Sequence, residues 1–225
     1  MTKRRIFNKG FAKANGDIIT WLNSDDLFTK DTLAKANSYF TDNQGLNLLF
    51  GRSLLFGEDR KDSLSQIKKD DFMYRALAGL PFAQPSSFFS KAHLQKNGFL
   101  DQNLHYGMDY NFFVPAFFEN HFLSVDDVFS KYRYHSESKS VSQNAGFAKD
   151  YGKVFSKILR SFPTGKSTIE HMKKAGFYVE EEDKFNPEKQ FSESELQKAL
   201  HYNLLHQLIF YYEAGEVKES HQILK

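Results

Sequence analysis

In the stretch GDIITWLNSDDLF, residues 16–28, an apolar run ending at Leu22 is followed at once by Asn23, Ser24, Asp25 and Asp26. In an open α/β sheet, ligands collect outside the carboxyl ends of the strands, so a polar cluster there stands where a site is expected. Asp25 and Asp26 would supply hard oxygen ligands, suited to a magnesium or manganese ion that also holds phosphate oxygens. A diphosphate leaving group would need such a cation. The competing use is local: Ser24, Asp25 and Asp26 could equally cap the next helix or form an Asx turn.

The elements that would position this cluster follow from periodicity. The spacing predicts a helix around Arg5–Ala14, a strand over Asp17–Leu22, a helix from about Lys30 to Phe40 and a strand within 46–57. Leu33, Ala36, Asn37 and Phe40 form the partial apolar stripe of the second helix, with Thr29 and Asp31 at its start. A helix over 70–80, a strand at 86–90, a helix closing on Gly98, a helix opening near Asp109 and a strand at 122–134 complete an α/β pattern. Pro115 is expected to kink or end the helix that opens at Asp109. Beyond about Gly146 only helical spacing remains, and the last long helix has a capping-box start at Ser192 or Ser194. The expected organisation is a core over residues 1–145 and a helical extension over 146–225, the latter read as an antiparallel helix pair.

The 225 residues suffice for one large domain with an appendage. Thirty basic and 28 acidic residues are interspersed and leave a formal charge of +2, so no electrostatic footprint asks for nucleic acid. The absence of cysteine excludes disulfides and thiolate metal sites and fits a reducing compartment. No apolar run approaches the roughly 20 residues that span a bilayer, and a soluble, cytoplasmic protein is expected. An amphipathic face in the helical extension could rest on a membrane surface or a partner. TGKST at 164–168 looks like the end of a phosphate-binding loop, but Arg160 stands where that loop needs its first glycine, so a helix start is expected instead.

The blocks FNKGFAKANGDIITWLNSDD, GLPFAQPSSFFSKAHLQKNGFLDQNLHYGMDYNFF and KYRYHSESKSVS, in this order, closely resemble the core of family 2 glycosyltransferases of the GT-A fold. The resemblance covers roughly residues 5–145. It implies a mixed sheet flanked by helices and transfer of a sugar from a nucleotide-diphosphate sugar to an acceptor hydroxyl, by inversion, in glycan synthesis.

By the same resemblance, Asn23 takes the first place of the Asp-x-Asp motif and Asp25 the third, as a ligand for manganese or magnesium, with Asp26 a neighbouring or alternate ligand. Asn8 and Lys9 match the segment lining the donor diphosphate. Gln84, Pro85 and Ser86 match the block bordering the acceptor or donor sugar, although Pro85 could simply start an edge strand. Asp109 matches the general base of inverting members; it could instead, or as well, cap its helix. His135 would complete the metal shell and Lys139 close over the diphosphate.

Family members begin with a base-binding strand and further strand-helix elements ahead of the Asn-Lys-Gly helix, whereas seven residues precede Asn8 here. The resemblance therefore implies a GT-A-like core without its nucleotide-binding part, either a fragment of a longer protein or a split enzyme completed by another chain, with an open sheet edge that invites a partner or a second copy. The alternative is a catalytically silent remnant that binds a glycan or protein partner.

Overall fold

A computed structural model describes residues 3–57, 61–134 and 144–224. In chain order the elements are α1 (Lys3–Lys13), β1 (Ile18–Ile19), β2 (Leu27–Phe28), α2 (Thr32–Asp42), β3 (Leu48–Gly57), β4 (Ser63–Leu64), α3 (Phe72–Ala78), β5 (Ser87–Ser90), α4 (Lys91–Asn97) and α5 (Met108–Phe118). They continue with β6 (Phe122–Tyr134), α6 (Asn144–Arg160), α7 (Lys166–Lys174), α8 (Glu193–Glu213) and α9 (Val217–Ile223). Short 3-10 turns occupy Gln84–Ser86 and Pro163–Gly165.

Contacts gather the residues into two compact units. One contains Met1–Lys68, Pro81–Gln102 and Asn120–Ser136; the other contains Lys69–Leu80, Asn103–Glu119 and Glu137–Lys225. Thus α3 and α5, which lie inside the 1–145 stretch, group with the C-terminal helices.

The first unit holds a mixed sheet in the order β1-β5-β3-β6-β2, with β4 on the side of β3. β3 and β6 run parallel; the other pairings are antiparallel. Successive residues of a strand face opposite sides, and SSFFS uses this directly. Phe88 joins Leu49, Phe129 and Ala36 in the layer covered by α2. Phe89 turns the other way to meet Phe11 of α1 and Trp21, edge-on at 5.5 and 5.9 Å between ring centres.

Three sequence expectations change here. The strand expected over Asp17–Leu22 pairs only at Ile18 and Ile19. Beyond that point side chains take over from the ladder: the Thr20 hydroxyl donates to the Ser87 carbonyl at 2.8 Å, and the Gln84 amide donates to the Trp21 carbonyl at 2.9 Å. On α2 the buried stripe starts at Thr32, 2% exposed, while Leu33 is 61% exposed. Thr32 donates to the carbonyl of Phe129 at 2.8 Å, and that bond sets the rotation of the helix. Asp31 stands at the N-cap position without a side-chain cap bond. Finally, α5 runs three residues past Pro115, with Phe112, Phe113, Ala116, Phe117 and Phe118 all buried, so packing overrides the lost backbone donor.

In the second unit, α8 begins with the expected capping box: Ser192 and Glu195 exchange side-chain and backbone bonds. The TGKST stretch is a 3-10 turn leading into α7, a helix start as its sequence suggests. Among the described residues, no helix is long and apolar enough to cross a membrane.

Candidate functional site

Asn23–Asp26 closes a tight turn, with the Asp26 N–H donating to the Asn23 carbonyl at 3.2 Å. The Asn23 amide donates to Asp26 Oδ2 at 2.9 Å and, more weakly, to Gln84 Oε1 at 3.4 Å. The Arg133 backbone N–H donates to Asp26 Oδ1 at 3.1 Å. The fold therefore brings together three blocks far apart in sequence: the turn after β1, Gln84, and the end of β6.

These bonds divide the two adjacent carboxylates. Asp26 is 3% exposed and both its oxygens accept N–H groups, so it ties the turn to β6. Asp25 is half-buried at the third position of the turn. Among the described residues, no three His, Asp or Glu side chains gather as a metal cluster. A magnesium-type ion is commonly held by one or two carboxylates plus substrate phosphates, and Asp25 fits that mode. His135 and Lys139 lie outside the described residues.

Asn8, Lys9, Pro85 and Ser86 also lie in the sheet unit. The Asn8 amide donates to the Leu100 carbonyl at 2.9 Å and its oxygen accepts the Leu100 N–H at 3.0 Å, which splices α1 to the 99–102 loop. Lys9 faces the same loop. Pro85 is buried in the 3-10 turn before β5, an internal strand of the sheet rather than an edge. Ser86 is fully buried, its hydroxyl within 2.9 Å of the Gly51 carbonyl and 2.8 Å of the Ala83 carbonyl. Gln84 keeps a different position: through Trp21 and Asn23 it fixes the backbone that presents Asp25.

In the second unit, Asp109 is the second residue of α5, not its cap; Gly107 holds the N-cap position without a side-chain bond. Asp109 Oδ1 accepts the Tyr110 N–H at 2.8 Å. Burial pushes its carboxyl from the ordinary 3.8 up to about 6; the N–H groups of Tyr110 and of Asp109 itself pull it down, and the Asp150 charge adds to the rise. A carboxylate so placed is basic enough to take a proton from a hydroxyl in a reaction near neutrality.

Asp150 is the functional neighbour that sequence reasoning missed. Its Oδ2 accepts three consecutive N–H groups, from His105 at 2.6 Å, Tyr106 at 2.7 Å and Gly107 at 3.1 Å. It thereby does from α6 what no residue of α5 does for itself. The Tyr110 hydroxyl donates to the Leu77 carbonyl at the end of α3, and the Asn203 amide donates to the next carbonyl, Ala78, at 3.0 Å. The first turn of α5 is thus held on both sides by buried polar contacts. One signal was readable: Asp150 lies at i−4 from Val154 and i−8 from Ile158, a charge on an otherwise apolar stripe.

The comparisons with known proteins bear on this geometry. Residues 3–112 match glycosyl transferase family 2. The family 2 match takes in both the Asn23–Asp26 turn and Asp109. In fold the chain is similar to S. aureus TarS 1-349, with a TM-score of 0.57 at 15% identity, covering 94% of this chain and 53% of that one. It is similar also to a second structure of S. aureus TarS, with a TM-score of 0.54 at 15% identity, covering 97% of this chain and 42% of that one. The chain thus spans about half the length of these structures. No curated protein matches it. The expected GT-A-like mixed sheet with flanking and C-terminal helices is the fold found.

Proposed function

We propose that this chain serves sugar transfer from a nucleotide-diphosphate sugar to an acceptor hydroxyl in glycan synthesis, with inversion at the anomeric carbon. One observation carries the reading: the family match over residues 3–112 includes both the turn that holds the half-buried Asp25 and the Asp109 carboxyl, raised to about 6. In the reaction, Asp109 accepts the proton of the acceptor hydroxyl as its oxygen attacks the anomeric carbon. The bond from that carbon to the diphosphate oxygen breaks, and the electron pair leaves with the nucleoside diphosphate.

Asn23 and Asp25 belong to the donor end, where an amide can hydrogen-bond a hydroxyl and a carboxylate can share a divalent cation with the diphosphate. Such a cation, magnesium or manganese, would neutralise charge on the leaving group. Gln84 acts on the same end by holding the turn. The deciding experiment is a transfer and binding assay over several nucleotide sugars. Asp109→Asn should lower transfer by roughly 100-fold or more, the range of a lost general base, and leave donor affinity within about twofold. Equal turnover by the variant removes Asp109 as base, and absence of nucleotide-sugar binding with and without manganese removes the reading.

A further inference from the structure

α8 is apolar on both of its sides. The side packed within its unit carries Leu196, Ala199, Leu200, Asn203, Gln207 and Tyr211, all buried. At mid-helix this buried side is polar: the Gln207 amide donates to Asn203 Oδ1 at 2.6 Å, and the Asn203 amide donates to the Ala78 carbonyl. The opposite side is the reverse, with Leu205, Ile209 and Tyr212 exposed by 39%, 50% and 77%. A helix with apolar residues all round is ordinarily covered all round. Here three large apolar side chains stand in water at intervals of four and three residues, the spacing of a coiled-coil seam.

The same alternation of four and three extends the seam to Tyr202 and Lys198 on one side and to Glu216 on the other. Tyr202 is half-buried and held in place: its hydroxyl donates to Asp71 at 2.7 Å, and the Arg75 guanidinium lies 4.3 Å from its ring centre. Lys198 is exposed beside the Tyr74 ring, at 5.0 Å. Glu216 is exposed just past the left-handed turn at Gly215 that follows the helix. Among the described residues, neither Lys198 nor Glu216 forms an ion pair. The seam is therefore apolar in the middle, basic at one end and acidic at the other. Two copies of α8 laid antiparallel about a two-fold axis midway between Leu205 and Ile209 match every position. Leu205 meets the partner's Ile209, Tyr202 meets the partner's Tyr212, and Lys198 lies beside the partner's Glu216, each contact occurring twice. A parallel pair would instead set lysine against lysine and glutamate against glutamate.

We propose that the exposed face of α8 is a self-association surface whose partner is a second copy of this chain, bound antiparallel through Tyr202, Leu205, Ile209 and Tyr212. Because the two-fold axis makes the same patch face itself, association stops at the dimer. The seam is short, so a dissociation constant on the order of tens of micromolar is expected. The surface lies wholly in the helical unit, and the proposal stands or falls independently of the transfer reaction.

The test is sedimentation equilibrium of the 225-residue chain over roughly 1 μM to 1 mM. The mean mass should rise from that of one chain towards that of two and no further. Ile209→Glu, at an exposed position, should weaken association by about tenfold or more while leaving the circular dichroism spectrum and thermal melt unchanged. Leu33→Glu places a glutamate at an exposed apolar position of α2 and should leave association within about twofold. Lys198→Glu and Glu216→Lys each turn two attractive pairs into repulsive ones, and each should weaken association by about fivefold. The double variant exchanges the signs and restores both pairs, so it should associate within about twofold of wild type. The mass of one chain at every concentration, equal losses from Ile209→Glu and Leu33→Glu, or a double variant as weak as the single ones would overturn the proposal.

Discussion

The Asp150 carboxylate accepts the backbone N–H of Gly107 at 3.1 Å, and the same oxygen also accepts those of His105 and Tyr106. One buried side chain of α6 thus fixes the entry to the helix that carries Asp109. A Cβ at Gly107 would lie 3.1 Å from the Cβ of Asp150, so a side chain there would have to push Asp150 back by a few tenths of an ångström. Asp150→Ala strands three N–H groups, on exposed His105, half-buried Tyr106 and buried Gly107, and stranded donors cost about 1–3 kcal/mol each when no water replaces the acceptor. With partial hydration of the loop, urea unfolding should show a loss of about 3 kcal/mol. Asp150→Asn, which keeps one acceptor oxygen, should lose less. Equal stability of wild type and Asp150→Ala would mean that the loop is held by other contacts.

Asp109 should leave a pH signature in stability as well as in rate. Its folded carboxyl is raised from 3.8 to about 6, so between these values the folded state binds more protons than the unfolded chain. Stability therefore falls as pH rises through this window, by at most about 3 kcal/mol at 1.36 kcal/mol per unit. Below the window both states are protonated and the penalty vanishes; above it the penalty is complete. Asp109→Asn should accordingly be more stable than wild type at pH 7 and equal to it near pH 4. In the transfer reaction, kcat/KM should rise with pH through about 6 and level off, since the base acts when deprotonated. A variant no more stable than wild type at pH 7 would contradict the raised pKa.

Gly51 offers a test of the sheet beneath the candidate donor turn. A Cβ there would lie 2.5 Å from the Asp127 carbonyl oxygen and 2.7 Å from the Phe129 ring, where β3 shifts register against β6. The first contact is backbone and has little room to yield. Gly51→Ala should cost about 3 kcal/mol or more, as overpacking against a fixed strand does. Gly10→Ala, where no atom lies within 4 Å of the added Cβ, should in contrast be neutral or slightly stabilising. Thermal melts of the two variants give the comparison directly.

Much of the fold was legible because it is written in local patterns. The strand at 122–134 and the capping box at Ser192 follow from alternation and from cap chemistry, both carried by adjacent residues. What was not legible depends on partners far along the chain. Leu27–Phe28 becomes a strand only because Lys131 and Ser130 pair with it, and Ile18–Ile19 stops where Thr20 and Gln84 intercept the ladder. Thr32 is buried instead of Leu33 because its hydroxyl finds the Phe129 carbonyl, a contact 97 residues distant. At the site, the residue types at positions 23–26 marked a polar turn, but they could not say which aspartate accepts the Arg133 N–H of β6. Asp150 was invisible as a partner of 105–107 because nothing local links them.

The two adjacent aspartates should separate cleanly under mutation. Asp26 is buried and both its oxygens accept N–H groups, from Asn23 and from the backbone of Arg133. Asp26→Ala leaves those donors without their acceptor, and a loss of about 2–3 kcal/mol follows from two charge-assisted bonds in a buried turn. Asp25 is half-buried on the same turn, and Asp25→Ala should change stability by less than about 1 kcal/mol. If Asp25 shares a divalent cation with the donor diphosphate, its removal should weaken manganese-dependent nucleotide-sugar binding by about tenfold or more while leaving metal-free binding nearly unchanged. Chemical denaturation and donor titrations, with and without manganese, on both variants decide the matter. The assignment fails if Asp25→Ala unfolds the protein as readily as Asp26→Ala, or if it binds donor and manganese as wild type does. In either case Asp25 is not the carboxylate that serves the metal.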